Sequence, residues 1–148
     1  MMRREEIARE IWNRLSAVSG VVRVARNPEK PPNVEDLSTL QFFELDDRVL
    51  EARMTDTAPA YKRRLTVVIE AFVAGESEAL ATSNLMAFVK LMKKSIYNGS
   101  NTLKTGRKVL GEIVEVDQSR VLRPGVGSHV AGIGTVFHIQ YTEDTKDY

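Results

Sequence analysis

Cysteine is absent from the 148 residues, which excludes disulfide bridges, thiolate metal ligation and a cysteine nucleophile, and with them the small secreted scaffold held together by cross-links. Histidine occurs only as His129 and His138, too sparsely for the ligand sets that zinc requires. Uninterrupted apolar stretches are only a few residues long, far short of the ~20 that span a bilayer. The opening Met1-Met2-Arg3-Arg4-Glu5-Glu6 leads into no apolar run of signal-peptide type. The expectation is a chain that is not exported by such a signal and does not cross a membrane. Excess charge of one sign is lacking too, since 21 Lys+Arg face 20 Asp+Glu. Overall charge therefore indicates neither a nucleic-acid binder nor an acidic disordered tail.

What is present, 43% hydrophobic and 28% charged residues, fits one soluble globular domain over residues 1–148, large enough to bury a core. Ile7, Ile11, Leu15 and Val18 recur at spacings of four, four and three, which predicts a helix with one buried face, stopped by Gly20. Trp12 borders that stripe and is expected to complete the buried face; the alternative is an anchor for a partner. Residues 21–26 read as a short strand with Val22 and Val24 inward, and the three prolines Pro28, Pro31 and Pro32 make residues 27–33 a stiff connector. Leu40-Gln41-Phe42-Phe43-Glu44-Leu45 is a second strand, continued after a bend or bulge by residues 48–53. Residues 54–60 read as an exposed loop.

Residues 61–74 give the strongest strand pattern in the chain, with Leu65, Val67, Ile69, Ala71 and Val73 on one face and the mixed set Thr66, Val68, Glu70 and Phe72 on the other. This strand is expected at the centre of the sheet, its second face covered only in part. Ser77 then opens a longer helix with Ala81, Leu85, Phe88, Met92 and Ile96 inward, ended by Asn98-Gly99. Residues 98–108 read as loop, 109–117 as a strand that residues 120–123 extend, 124–128 as a turn, and 133–141 as a last strand with Ile133, Thr135, Phe137, Ile139 and Tyr141 on one face. A polar tail is expected to fray from about residue 143. The order lacks the regular strand–helix alternation of a doubly wound fold. It predicts an α+β domain, a mainly antiparallel sheet with two helices packed on one face.

Chemistry is harder to find. No Gly-x-Ser-x-Gly elbow is present. The glycines at 125, 127, 132 and 134 are followed by a strand and by no Walker lysine, so they read as turn residues rather than a phosphate cradle. Glu44, Asp46 and Asp47 cluster as two-metal sites require, but read better as a solvated strand end. Charge is nonetheless uneven: between residues 79 and 111 there are Lys90, Lys93, Lys94, Lys104, Arg107 and Lys108 and no carboxylate. Arg48, Arg53, Lys62, Arg63 and Arg64 form a second basic group around the expected loop. Such patches suit phosphates or acidic protein surfaces.

Residues 7–15, Ser19-Gly20-Val21, the proline loop running into residues 40–45, the strand 65–72 and the closing 134–141 together resemble the tail terminator, or tail completion, proteins of tailed bacteriophages. The resemblance extends over roughly residues 3–142 and rests on element order and apolar pattern. It implies a non-enzymatic virion subunit without cofactor or metal, assembled in the bacterial host cytoplasm. Such a subunit closes into a homo-hexameric ring on the head-proximal end of the tail tube and ends tube growth. Its partners are then the major tail tube protein and the head-tail connector protein, with DNA passing through the ring without sequence-specific binding. Arg48, Arg53, Lys62, Arg63 and Arg64 are on that view subunit or tube contacts. A head-tail connector or minor tail protein of similar fold, or a small nucleic-acid-binding protein, are the alternatives.

Overall fold

The computed structural model describes residues 2–54, 58–120 and 129–144. Helix α1 (Arg3–Ser16) is followed by strand β1 (Arg23–Arg26), a single 3-10 turn (Val34–Asp36), strands β2 (Thr39–Met54) and β3 (Pro59–Ala74), helix α2 (Glu78–Tyr97), and strands β4 (Thr102–Thr105), β5 (Lys108–Arg120) and β6 (Val130–Asp144). The expected turn at 124–128 and the extension over 121–123 lie outside the described residues.

One six-stranded sheet runs β1-β2-β3-β6-β5-β4. Every neighbouring pair is antiparallel except β1 and β2, which are parallel. The sheet is therefore mixed: antiparallel at every pair but that edge one, where the sequence predicts a mainly antiparallel sheet. β3 is central, paired along its whole length with β6 from Ala60↔Asp144 to Ala74↔Val130. Its five inward residues from Leu65 to Val73 are all buried, and alternation places Leu40 and Phe42 of β2 and Phe137, Ile139 and Tyr141 of β6 on the same face. Ile7, Ile11 and Leu15 of α1 and Leu85, Phe88, Met92 and Ile96 of α2 close over that face in one continuous core. Tyr97 meets Phe137 edge-on, ring centroids 6.1 Å apart, the geometry that aromatic quadrupoles favour.

Helix ends follow local chemistry. Ser77 Oγ accepts the Leu80 N–H at 3.2 Å, satisfying an orphan donor of the first turn. At the other end Asn98 adopts a left-handed conformation (φ 46°) and returns its N–H to Lys94 O.

Several expectations are corrected. Trp12 is 39% exposed: the stripe on α1 is filled by Ile7, Ala8, Ile11 and Leu15, and the indole falls outside it. Val22 is also exposed, because β1 starts one residue later, and Val24 alone of that pair packs on the core. The loop expected over residues 54–60 shrinks, since β2 runs through Met54 and β3 begins at Pro59. Within the stretch read as loop after α2, β4 forms by pairing Leu103 with Gly111. β6 continues to Asp144 with Glu143 only 2% exposed, beyond the point where fraying was expected.

Candidate subunit interface

The longest uncovered feature grows out of β2 and β3. Beyond Phe42 the strand carries two irregularities, between Glu44 and Asp47 and between Val49 and Glu51, and such bulges sharpen twist and re-aim side chains. From Leu45 to Met54 every residue except Asp47 is exposed. The apolar side chains among them are not small: Leu45 is 60%, Val49 50%, Leu50 43% and Met54 83% exposed. This segment, paired with residues 59–64 of β3 and through them with the end of β6, is termed the arm.

A polar network fixes the root of the arm. Arg26 at the end of β1 donates to both Glu5 oxygens (2.9 and 3.0 Å) and to Glu44 from Nε and Nη2 (3.1 and 3.0 Å). Arg4 lies 3.8 Å from Glu44 and 3.7 Å from Asp47, and the Tyr141 hydroxyl donates to Asp47 at 2.6 Å. Burial and that carboxylate push the Tyr141 phenol well above its ordinary value. Arg63 lies 3.4 Å from the buried Glu143 and its guanidinium stacks 5.6 Å from the Tyr61 ring centroid. The carboxylates Glu44 and Asp47, read from sequence as a solvated strand end, are thus partly buried members of an ion network; Asp46 alone of the three is exposed. Among the described residues no cluster of His, Cys, Asp or Glu has a metal-holding arrangement.

The five arginine and lysine residues singled out from sequence all lie on the arm, though in different roles. Arg48 and Arg53 are exposed, each bonded at 2.9 Å to the carboxylate two residues before it, Asp46 and Glu51. Those exposed pairs stabilise little. The Thr66 hydroxyl, then Arg48 and Arg64, hold the Asp46 carboxyl below its ordinary value, and Arg53 does the same for Glu51. Lys62 is exposed, Arg64 half-buried, and Arg63 is engaged by Glu143. The lysine-rich stretch is divided as well: Lys93 pairs with Glu115 at 2.9 Å and Lys108 with Glu6 at 2.7 Å, which neutralises two of its six cations. His138 faces away from the helices beside Thr66, and burial, with Arg64 adding to it, holds its pKa below the ordinary value. Open clefts flank the arm; one of about 440 Å³ has both signs of charge on its walls, from Arg3 and Lys62 to Glu112 and Asp144.

Sequence pattern could not show where the sheet edges stand open. Asn27 (φ 47°) gives its N–H to Phe42 O at 2.8 Å and accepts the Glu44 N–H on Oδ1 at 3.0 Å. It ends the β1–β2 ladder there, and among the described residues no strand lies beside β2 beyond it. On the opposite side β4 pairs with β5 only as far as Thr102↔Glu112. The next outward amides of β5, Ile113 and Glu115, donate to Asn101 O (2.8 Å) and the Tyr97 hydroxyl (3.0 Å). Residues 117–120 have no strand on that side among the described residues.

No protein-family model matches the chain, and no curated protein matches it. Thirty-two chains of solved structures do. One, described as "Virion of native gene transfer agent (GTA) particle", aligns over 90% of this chain and 91% of its own at 13% identity and a TM-score of 0.40. Among the described residues no helix is long and apolar enough to cross a membrane.

Proposed function

We propose that this chain is a structural subunit of a phage-type tail, a terminator that assembles as a six-membered ring on the head-proximal end of the tail tube. The observation that carries the reading is the arm: an open edge strand with four large apolar side chains exposed along it and charges of both signs between them. An isolated monomer gains nothing from such a surface, which is the kind that marks a protein contact. The resemblance over residues 3–142 supplies the kind of assembly. Rings of identical subunits need two different complementary patches on each copy, and a near-neutral chain with separated charges provides them. On this reading Arg48, Arg53, Lys62 and Arg64 contact the neighbouring copy or the tube, while Arg63 stays with Glu143 and holds the arm in place. The tube protein and the head-tail connector are the partners, DNA threads the ring, and the subunit resides in the virion after assembly in the host cytoplasm.

Light scattering after size exclusion tests it. Six copies of 16.6 kDa give a species of roughly 100 kDa, and electron microscopy with tail tubes should place it at one end only. A stable dimer that persists across concentrations and leaves tube ends bare overturns the proposal.

A further inference from the structure

The register of the sheet gives two cross-sections. Near the arm, one row runs Arg48, Arg64, Gln140, Glu112, Thr102 through β2, β3, β6, β5 and β4. Farther from the arm tip another runs Arg26, Phe42, Ile69, Thr135, Gln118 through β1, β2, β3, β6 and β5. Each row crosses five strands, displaced by one strand between the two heights. The outline is a parallelogram with a step at each side: β4 protrudes at the height where β2 stands open, and β1 protrudes at the height where residues 117–120 of β5 stand open.

We infer that copies of this chain join head to tail through these steps. β4 of one copy pairs in parallel with the arm segment 48–53 of the next, and β1 of the next copy pairs antiparallel with residues 117–120 of the first. It rests on the ring reading above and names the contact surfaces within it. The strand directions allow it: β2 and β6 both run opposite to β3, and β4 and β6 both run opposite to β5, so β4 and β2 point the same way while β1 and β5 oppose. The step lengths match as well, since β1 and β4 are each four residues long. Charges agree at the longer contact. Two residues beyond the first row Lys104 on β4 and Glu51 on β2 come to the same height; Lys104 is exposed with no ion pair among the described residues, and Glu51 is an exposed carboxylate. The second contact brings Arg26 at the end of β1 level with Gln118 of β5, one residue from the exposed Asp117. The pairing gives the open arm edge, otherwise an aggregation hazard, a defined partner, and a contact between unlike edges continues until the ring closes.

The absence of cysteine makes the contact testable by cross-linking. Within one copy, positions 104 and 51 are four strand spacings apart, about 19 Å at ~4.8 Å each, against the roughly 7 Å limit between Cα atoms of a disulfide. A full-length chain carrying Lys104→Cys and Glu51→Cys is assembled, checked by light scattering, oxidised and run on a non-reducing gel. The expected result is a ladder from two to six copies that collapses on reduction, with each single variant remaining one band. A ring-sized species without a ladder overturns the edge pairing and leaves the ring reading standing. A dimer from Glu51→Cys alone means that arms meet about a two-fold axis and overturns the head-to-tail contact. A ladder closing at another number upholds the pairing and rejects six copies. A chain monomeric at every concentration and never linked overturns both.

Discussion

Replacing Arg26 with Leu keeps most of the aliphatic stem and removes the guanidinium that joins α1, β1 and β2. Glu44, whose side chain is 4% exposed, then keeps only Asn27 Nδ2 at 3.0 Å and the more distant Arg4. Breaking a buried ion pair from one side costs about 3–5 kcal/mol; with two partners left to Glu44 and Arg26 itself 31% exposed, the expected loss is about 2–3 kcal/mol. The bonds to the half-exposed Glu5 add no more than about 0.5–1 kcal/mol. For a chain of this length the combined loss corresponds to a fall in Tm of about 4–16 °C. Urea unfolding followed by circular dichroism at pH 7 reads it directly. Glu44→Gln in the Arg26→Leu background should restore more than half of the loss, because a neutral amide does not have to be buried as an ion. An Arg26→Leu midpoint within about 0.5 kcal/mol of the parent, or simple additivity of the two substitutions, would refute the assignment of Arg26 as the keystone of the arm.

Acid should act on the same network. The Arg26 hydrogen bonds hold the Glu5 carboxyl below its ordinary 4.5, so its contribution is present above that value and is lost as pH falls through the folded value; in Arg26→Leu the stability curve below pH 4.5 should be shallower. His138 is likewise depressed from 6.5, so the unfolded chain takes up that proton first and stability falls as pH drops below 6.5, a fall that His138→Gln should reduce when melting is followed between pH 7 and 5. Two glycines should respond differently to Ala. At Gly75 an added Cβ would collide with the backbone of Ala81 at the start of α2, and at Gly132 it would meet only the Phe72 ring at 2.6 Å. Gly75→Ala should therefore cost near the top of the ~1–3 kcal/mol range for overpacking and Gly132→Ala near the bottom, compared by thermal melts; equal losses would contradict the contacts described.

Patterns of period two and 3.6 made α1, α2, β3 and β6 legible, because each buries a full stripe in the core, whereas β5 shows the alternation but buries only Leu110, Gly111 and Ile113. β4 offers no such stripe: Leu103 is its only large apolar residue, and it becomes a strand only because β5 is beside it. Trp12 was misplaced because a helix stripe already filled by Ile7, Ala8, Ile11 and Leu15 leaves an aromatic neighbour outside. The parallel β1–β2 pair depends on how residues 27–38 route the chain, which no local pattern encodes. At the candidate site the sequence marked Arg48, Arg53, Lys62, Arg63 and Arg64 as a group, yet their partners decide their roles. Arg63 meets a carboxylate 80 residues away in sequence, and the long-range bonds from Arg4 and Arg26 to Glu44 leave no local trace. The stepped outline of the sheet is still less visible, since it exists only in the register between strands.

Asn27 sets a border between what a chain keeps for itself and what it leaves for another. By answering the last two backbone groups that β1 would have reached, it tells the sheet where its own molecule stops, and everything farther along β2 is addressed to a stranger. Moving that border by one or two residues would alter no core contact and no charge on the arm. It would change how much of each copy is shared, and so the size and closure of whatever the copies build.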